Sequence, residues 1–389
     1  MKKIFPLGAA IVLMLFLGLA HADDEAFVTR EFQASTGQRL ALDLETGGSV
    51  KVTGWSQSGI EVSYRLGGKD GRHCRVEFEE GGDGLTVMSR YDGPDGGFST
   101  DIDFEILVPQ WFDIELDSMG GGLEISGVEG EFTGKTMGGA LTLHDVRGEA
   151  RLTTMGGEIR LTESELDGSL TTMGGEVLFE NVIGDVKGKS MGGNVRYKNV
   201  QRSGGKVAAP MGLEDDDVTV TSETVQISTM GGAIEIDEAP EGANVHTMGG
   251  DIRITDAERF VRAKTMGGDI FIESVDGWVK ATTMGGDVEV TVTGNGGDIE
   301  LTSYSGEITL FVPPGFSMDL DLEIAYTRNS SQDYQVIADS MTLQRSETSE
   351  WDHDHGSPRR YIRAKGSTGG ANRVKIETVN GNITIREGR

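Results

Sequence analysis

Apolar residues two apart recur along the middle of the chain: Leu123/Ile125, Leu141/Leu143, Ile159/Leu161, Val177/Phe179, Ile234/Ile236, Ile252/Ile254, Ile270/Ile272 and Val288/Val290. Alternation at that spacing marks a strand with one buried face. Each pair follows a Met-Gly-Gly triplet, at Met119, Met137, Met155, Met173, Met191, Met230, Met248, Met266 and Met284, and all but one of the steps are 18 residues. With methionine as slot 1, the pairs fill slots 5 and 7. A second alternating pair fills slots 14 and 16, as in Val186/Gly188, Val261/Ala263 and Val279/Ala281. Glycines 130, 148, 168, 184, 242 and 277 mark turns between the two strands. The exceptional step, 39 residues from Met191 to Met230, contains a worn copy starting at Met211-Gly212, so the pattern reads as ten tandem coils.

A short fixed period means stacked units that bury their apolar faces only against neighbours. Eighteen residues at about 3.3 Å each give a perimeter of at most ~60 Å, a flattened tube with coils about 4.8 Å apart. No 3.6-residue period persists, and a Gly-Gly in every coil would cost a helix about 2 kcal/mol relative to alanine. The expected fold is all-β, a parallel β-solenoid of ~18-residue coils with two main strands per coil.

The first strand buries odd slots and the second even ones, so the phase must break at the corner. Gly-Gly in slots 2 and 3 is the expected place, because glycine accepts positive φ. Tyr304 and Val379 hold slot 1 in two later coils. Apolar substitutes there predict a buried corner with methionine packed in the core. A column facing outward would instead offer a stripe for protein contact, or thioethers for Cu(I).

The recurring Thr-Met-Gly-Gly-Asp-Ile-x-Ile, with Thr378-Val379-Asn380-Gly381-Asn382-Ile383 near the end and Leu44-Glu45-Thr46-Gly47-Gly48-Ser49-Val50 near the start, resembles the bacterial β-strand-repeat family DUF4097, an adhesin-labelled family. The resemblance spans most of the mature chain. It implies a right-handed parallel β-solenoid (β-helix) in the cell envelope and brings no catalytic residues with it. The strict Met-Gly-Gly departs from the family's mixed Ser, Asn and Gly.

Residues 1–22 read as a secretory signal peptide: Lys2-Lys3, an apolar run from Ile4 to Leu19, and Ala20-His21-Ala22. The run is too short to span a bilayer, and no other segment of the mature chain could. Residues 23–118 are expected to form irregular β coils and a cap, 119–312 the regular solenoid with a worn coil at 204–229, and 313–389 C-terminal coils with a surface excursion at about 325–370. Cleavage leaves 33 basic and 63 acidic side chains, a net charge of −30. That field argues against nucleic acid and favours cationic partners. The single cysteine, Cys74, excludes an intramolecular disulfide.

Candidate chemistry sits mainly where the rhythm breaks. Glu214, Asp215, Asp216 and Asp217 suggest an acidic interaction loop, and Trp351 lies beside Asp352, His353, Asp354 and His355, which have metal-competent side chains in what reads as a solvated loop. Within the repeat, Asp251, Asp269 and Asp287, with Glu158 and Glu176, form a carboxylate column whose simplest role is to accept backbone N–H bonds at its own turn. Calcium needs six to eight oxygens, and the nine-residue calcium-binding repeat is absent. The threonine column (Thr136, Thr154, Thr172, Thr229, Thr247, Thr265, Thr283) lacks the second regular column an ice-binding face needs, and Gly134-Lys135-Thr136 lacks the glycine of a phosphate loop.

The expectation is a non-catalytic, exported, adhesin-like scaffold, periplasmic in the first instance, that needs no cofactor and binds an envelope protein, a glycan or a cationic peptide. The alternatives are a polysaccharide lyase or hydrolase on a parallel β-helix, and a cation-binding envelope sensor.

Overall fold

A computed structural model describes residues 27–35, 37–94, 97, 99–201, 224–294, 296–330, 333–339, 341–353 and 357–388. These residues form one large mixed sheet of 30 strands and a single short 3-10 turn, Gly71–His73. The signal segment and Glu214, Asp215, Asp216 and Asp217 lie outside the described residues, as do Asp354 and His355.

The repeat becomes parallel pairing at an offset of one period. Leu141 and Leu143 lie beside Ile159 and Leu161, which lie beside Val177 and Phe179, with Val195 and Tyr197 next. Slots 5 and 7 are buried in each of these coils. So is slot 10, filled by Val128, Val146, Ser164, Val182, Val200, Ala239, Ala257 and Val275, which the two-pair reading missed. In the strands Ile159–Thr172, Ile252–Lys264 and Ile270–Thr283 the two halves of a coil run on as one. The expected break between them is a bend because each coil repeats its neighbour's path, so the ladder continues around it.

Among the described residues the coil of Met230 follows that of Met191 directly on the first-strand side. Met230 donates its N–H to the carbonyl of Met191 at 3.1 Å, and Val195 and Tyr197 pair directly with Ile234 and Ile236.

Core volume is balanced between coils. Tyr197 stacks on Phe179 with ring centroids 4.8 Å apart, and its hydroxyl accepts the N–H of Gly188 at 2.6 Å. A Cβ at Gly188 would come within 2.7 Å of Val177 and 3.1 Å of that hydroxyl. The small residue in slot 16 makes room for the large one in the next coil.

Both ends of the stack change to antiparallel pairing. At the start, Val28–Gln33 pairs with Gly59–Gly67, and Cys74–Gly81 forms a hairpin with Gly84–Tyr91. At the end, Met318–Thr327 pairs antiparallel with Arg359–Ser367, which also carries Gln344–Glu347. Much of the expected surface excursion is therefore sheet. These strands extend the parallel ladders, and Val28–Gln33, Cys74–Gly81 and Gln344–Glu347 form the outer edges of the sheet.

Candidate functional site: the methionine corner and the outer faces

The corner departs from the buried one expected. All nine slot-1 methionines are 40% to 61% exposed, and Tyr304 in the same slot is 51% exposed. The residue before each methionine faces inward instead: Thr136, Thr154, Thr172, Thr247, Thr265 and Thr283 are fully buried. Their hydroxyls explain the choice. Thr172 Oγ1 donates to the carbonyl of Gly157 in the preceding coil at 2.8 Å and accepts the N–H of Gly175 at 3.1 Å. The contact repeats at Thr154, Ser190, Thr247, Thr265 and Thr283. Each hydroxyl satisfies corner backbone that has no strand partner. With threonine inward, the next side chain must point out.

The two glycines differ in kind. A Cβ on the slot-3 glycine would lie far inside van der Waals contact with the preceding coil's backbone: 1.8 Å from Gly139 O at Gly157, 2.1 Å from Gly157 O at Gly175, 2.3 Å from Gly250 O at Gly268. Of the slot-3 glycines from Gly121 to Gly286, only Gly121 and Gly139 have positive φ, so close approach, not the expected φ, dictates glycine there. Slot 2 is roomier: a Cβ at Gly138 or Gly156 would meet nothing within 4 Å, one at Gly231, Gly249, Gly267 or Gly285 would lie 3.1 to 3.4 Å from the preceding coil's backbone, and Ser305 and Asn380 occupy this slot in later coils.

The carboxylate column does structural work in a different direction from that expected. Asp251 Oδ1 accepts the N–H of Asp269 at 2.9 Å, Asp269 Oδ1 that of Asp287 at 2.8 Å, and Asp287 Oδ1 that of Glu307 at 2.7 Å. Each carboxylate bonds to the next coil and not to its own turn. Among the described residues no group of three or more His, Cys, Asp or Glu side chains could hold a metal ion.

Trp351 does not sit in a loose loop. It makes an edge contact with Tyr326, and the guanidinium groups of Arg328 and Arg360 lie 5.4 and 4.7 Å from its ring centre. Asp352 bridges to Arg359 through backbone bonds of 2.8 and 2.9 Å and accepts the hydroxyl of Tyr361 at 2.8 Å. Asp352 is thus tied into the terminal sheet, while His353 is exposed beside it. Burial, together with the hydrogen bonds to Glu347 and Asp352, raises the pKa of the Tyr326 and Tyr361 hydroxyls above the ordinary tyrosine range. Burial likewise raises that of the Cys74 thiol, with Asp70 adding to it.

A groove of about 500 Å³ on the outer face was not anticipated. Its walls include Arg253, Phe271, Glu273, Glu289, Phe311 and Pro313. Arg253 pairs with Glu273 at 2.7 Å, and its guanidinium lies 5.0 Å from the Phe271 ring centre. Parallel register sets Arg253, Phe271 and Glu289 in one outward column and Thr291 and Phe311 in the next. The signal was available: Phe271 and Phe311 put aromatic rings in outward slots 6 and 8, where alternation calls for polar residues.

No helix of the described residues is long and apolar enough to cross a membrane. No curated protein matches the chain. Among solved structures, similar chains include a candidate cell-adhesion protein from Clostridium sporogenes, at 9% identity and TM-score 0.20 over 93% of this chain and 98% of that one. A candidate adhesin from Bacteroides fragilis is 12% identical, TM-score 0.21, over the same shares, 93% and 98%. A candidate lipid-binding protein from Parabacteroides distasonis is 13% identical, TM-score 0.24, over 74% of this chain and 93% of that one. Likeness at these scores carries no argument about function. The family model for Toastrack DUF4097 matches residues 180–386, more than half of the chain, so the protein belongs to the DUF4097 family.

Proposed function

We propose that the protein is an exported, non-catalytic scaffold of the cell envelope, periplasmic, with right-handed coils, that binds a glycan, a cationic peptide or another envelope protein on the outer face of its stack. The observation that carries this reading is the groove in which Phe271 and Phe311 stand on either side of polar side chains, with Arg253 and Glu273 paired at its edge. Aromatic faces flanked by charged groups suit an elongated polar ligand, which gains area from the rings and orientation from the charges. The rigid parallel ladder beneath costs little ordering on binding. The net charge of −30 after signal removal adds long-range attraction for cationic partners.

A second reading rests on the same groove. Glycan lyases and hydrolases need a basic group beside carboxylates, and Arg253 with Glu273 and Glu289 supplies those types. One set of experiments separates the two. Mature protein immobilised in mild salt should retain a partner from envelope extracts, and Phe271→Ala/Phe311→Ala should lose it without a change in melting temperature. A protein that retains nothing but releases new reducing ends from acidic glycans would reverse the order of the readings.

A further inference from the structure

The methionine column is not explained by folding. Slot 3 must be glycine because backbone fills the space, and slot 18 must carry a hydroxyl because buried carbonyls need a donor. Slot 1 carries no such requirement, and slot 2 a weaker one that Ser305 and Asn380 meet. Tyr304-Ser305 and Val379-Asn380 close equivalent corners, in strands that pair in register through Ser303 and Thr378. Other outward columns vary freely from coil to coil: slot 6 holds Glu124, Thr142, Arg160, Glu235 and Phe271, among others. Yet nine coils present the same exposed thioether, each beside a glycine that leaves its flank bare.

The geometry gives those thioethers a common use. In-register parallel coils place successive slot-1 side chains one coil rise apart, about 4.8 Å. Main-chain bonds tie each slot-1 N–H to the residue before slot 1 in the preceding coil, Met137 to Ser118 O at 3.0 Å, Met155 to Thr136 O at 3.1 Å and Met173 to Thr154 O at 3.2 Å, and Met230 donates directly to Met191 O at 3.1 Å. Metal–sulfur bonds are about 2.3 Å, as thiolates make to zinc, so two in line span about 4.6 Å. That is nearly one coil rise, and methionine's three rotatable bonds absorb the difference. Thioethers select soft ions, carry no proton to displace, and leave a bound cation's charge uncompensated. The neighbouring carboxylates of Asp251, Asp269 and Asp287, which keep one oxygen outside their main-chain bonds, supply nearby negative charge.

We propose that the methionine column binds soft monovalent metal ions, Cu(I) or its surrogate Ag(I), between thioethers of consecutive coils. The assignment stands independently of the groove and its ligand. Cys74, the one thiol of the chain, is buried, and its substitution tests whether it contributes.

The test uses the full mature chain, titrated without oxygen with Cu(I) against a chromophoric Cu(I) chelator, and with Ag(I) by calorimetry. Nine thioethers taken in pairs should hold about four ions, with sulfur-only coordination in X-ray absorption. Binding should persist from about pH 8 to pH 5, a range in which histidine ligands would protonate. Replacing all nine methionines by leucine, a volume-conserving change at exposed positions, should abolish binding and leave the circular dichroism unchanged. Should that variant fail to fold, Met248→Leu/Met266→Leu/Met284→Leu should lower the stoichiometry by at least one ion. Cys74→Ser and His353→Ala should bind as the parent does. Absence of binding in the parent, full stoichiometry after the leucine replacements, or loss on Cys74→Ser or His353→Ala would overturn the proposal.

Discussion

Around one triplet, neighbouring residues answer to different constraints. Threonine before it is held by the unmet hydrogen bonds of buried backbone, the second glycine by the carbonyl of the coil beneath, and the first glycine by neither. Substitution should separate them. Gly175→Ala places a Cβ 2.1 Å from Gly157 O, in backbone that cannot yield, and should cost several kcal/mol or prevent soluble expression, well beyond the usual ~1 kcal/mol for a point change. Gly174→Ala meets its nearest atom at 3.7 Å and should shift stability by no more than about 1 kcal/mol in either direction. Thermal melts of the two variants side by side check this; equal losses would contradict the steric account. Alternation locates the corner but leaves methionine's direction open, because a side chain's facing at a phase break depends on which neighbour the backbone bonds claim. Tyr304 and Val379 in the same slot looked like evidence of burial; Tyr304 is half exposed, and Val379 only partly buried.

Individual strands carry the period plainly, and the end caps hide it. The pairing of Leu141 with Ile159 follows from counting alone, whereas Met318–Thr327 against Arg359–Ser367 joins residues about 40 apart with no repeat to announce it. For that reason the sequence around Trp351 reads as loop, although Asp352 and Arg359 are bridged and the ring lies between two guanidinium groups. The C-terminal cap should have its own alkaline limit. The pKa values of Tyr326 and Tyr361 are raised in the folded state, so their protons bind more tightly there than in the unfolded chain. The resulting stability is complete below about pH 10, the unfolded value, and drains as pH rises through the folded ones. Melting temperature should therefore fall above that pH. Tyr326→Phe/Tyr361→Phe should flatten the fall, and an unaltered slope in the double variant would remove these hydroxyls from the account.

Across the whole molecule, regularity survives the one irregular step. Met230 bonds directly to Met191 although the step between them is 39 residues, 21 more than the 18-residue period. Deleting residues 203–223 should restore the period and leave a folded stack, with the same circular dichroism and a melting temperature no lower than the parent's. A collapse of the fold would mean that the inserted residues build part of the core. The groove, by contrast, is a property of the assembled face: Arg253, Phe271 and Phe311 come from three different coils, and only the register brings them together.

The two caps bear on the ends of the stack, and every interior coil presents the same backbone surface above and below. Gain or loss of a whole 18-residue unit would add or remove one layer without disturbing either end. Such variants would differ in reach by steps of about 4.8 Å per coil, so the length of this protein can drift in evolution while its cross-section stays fixed.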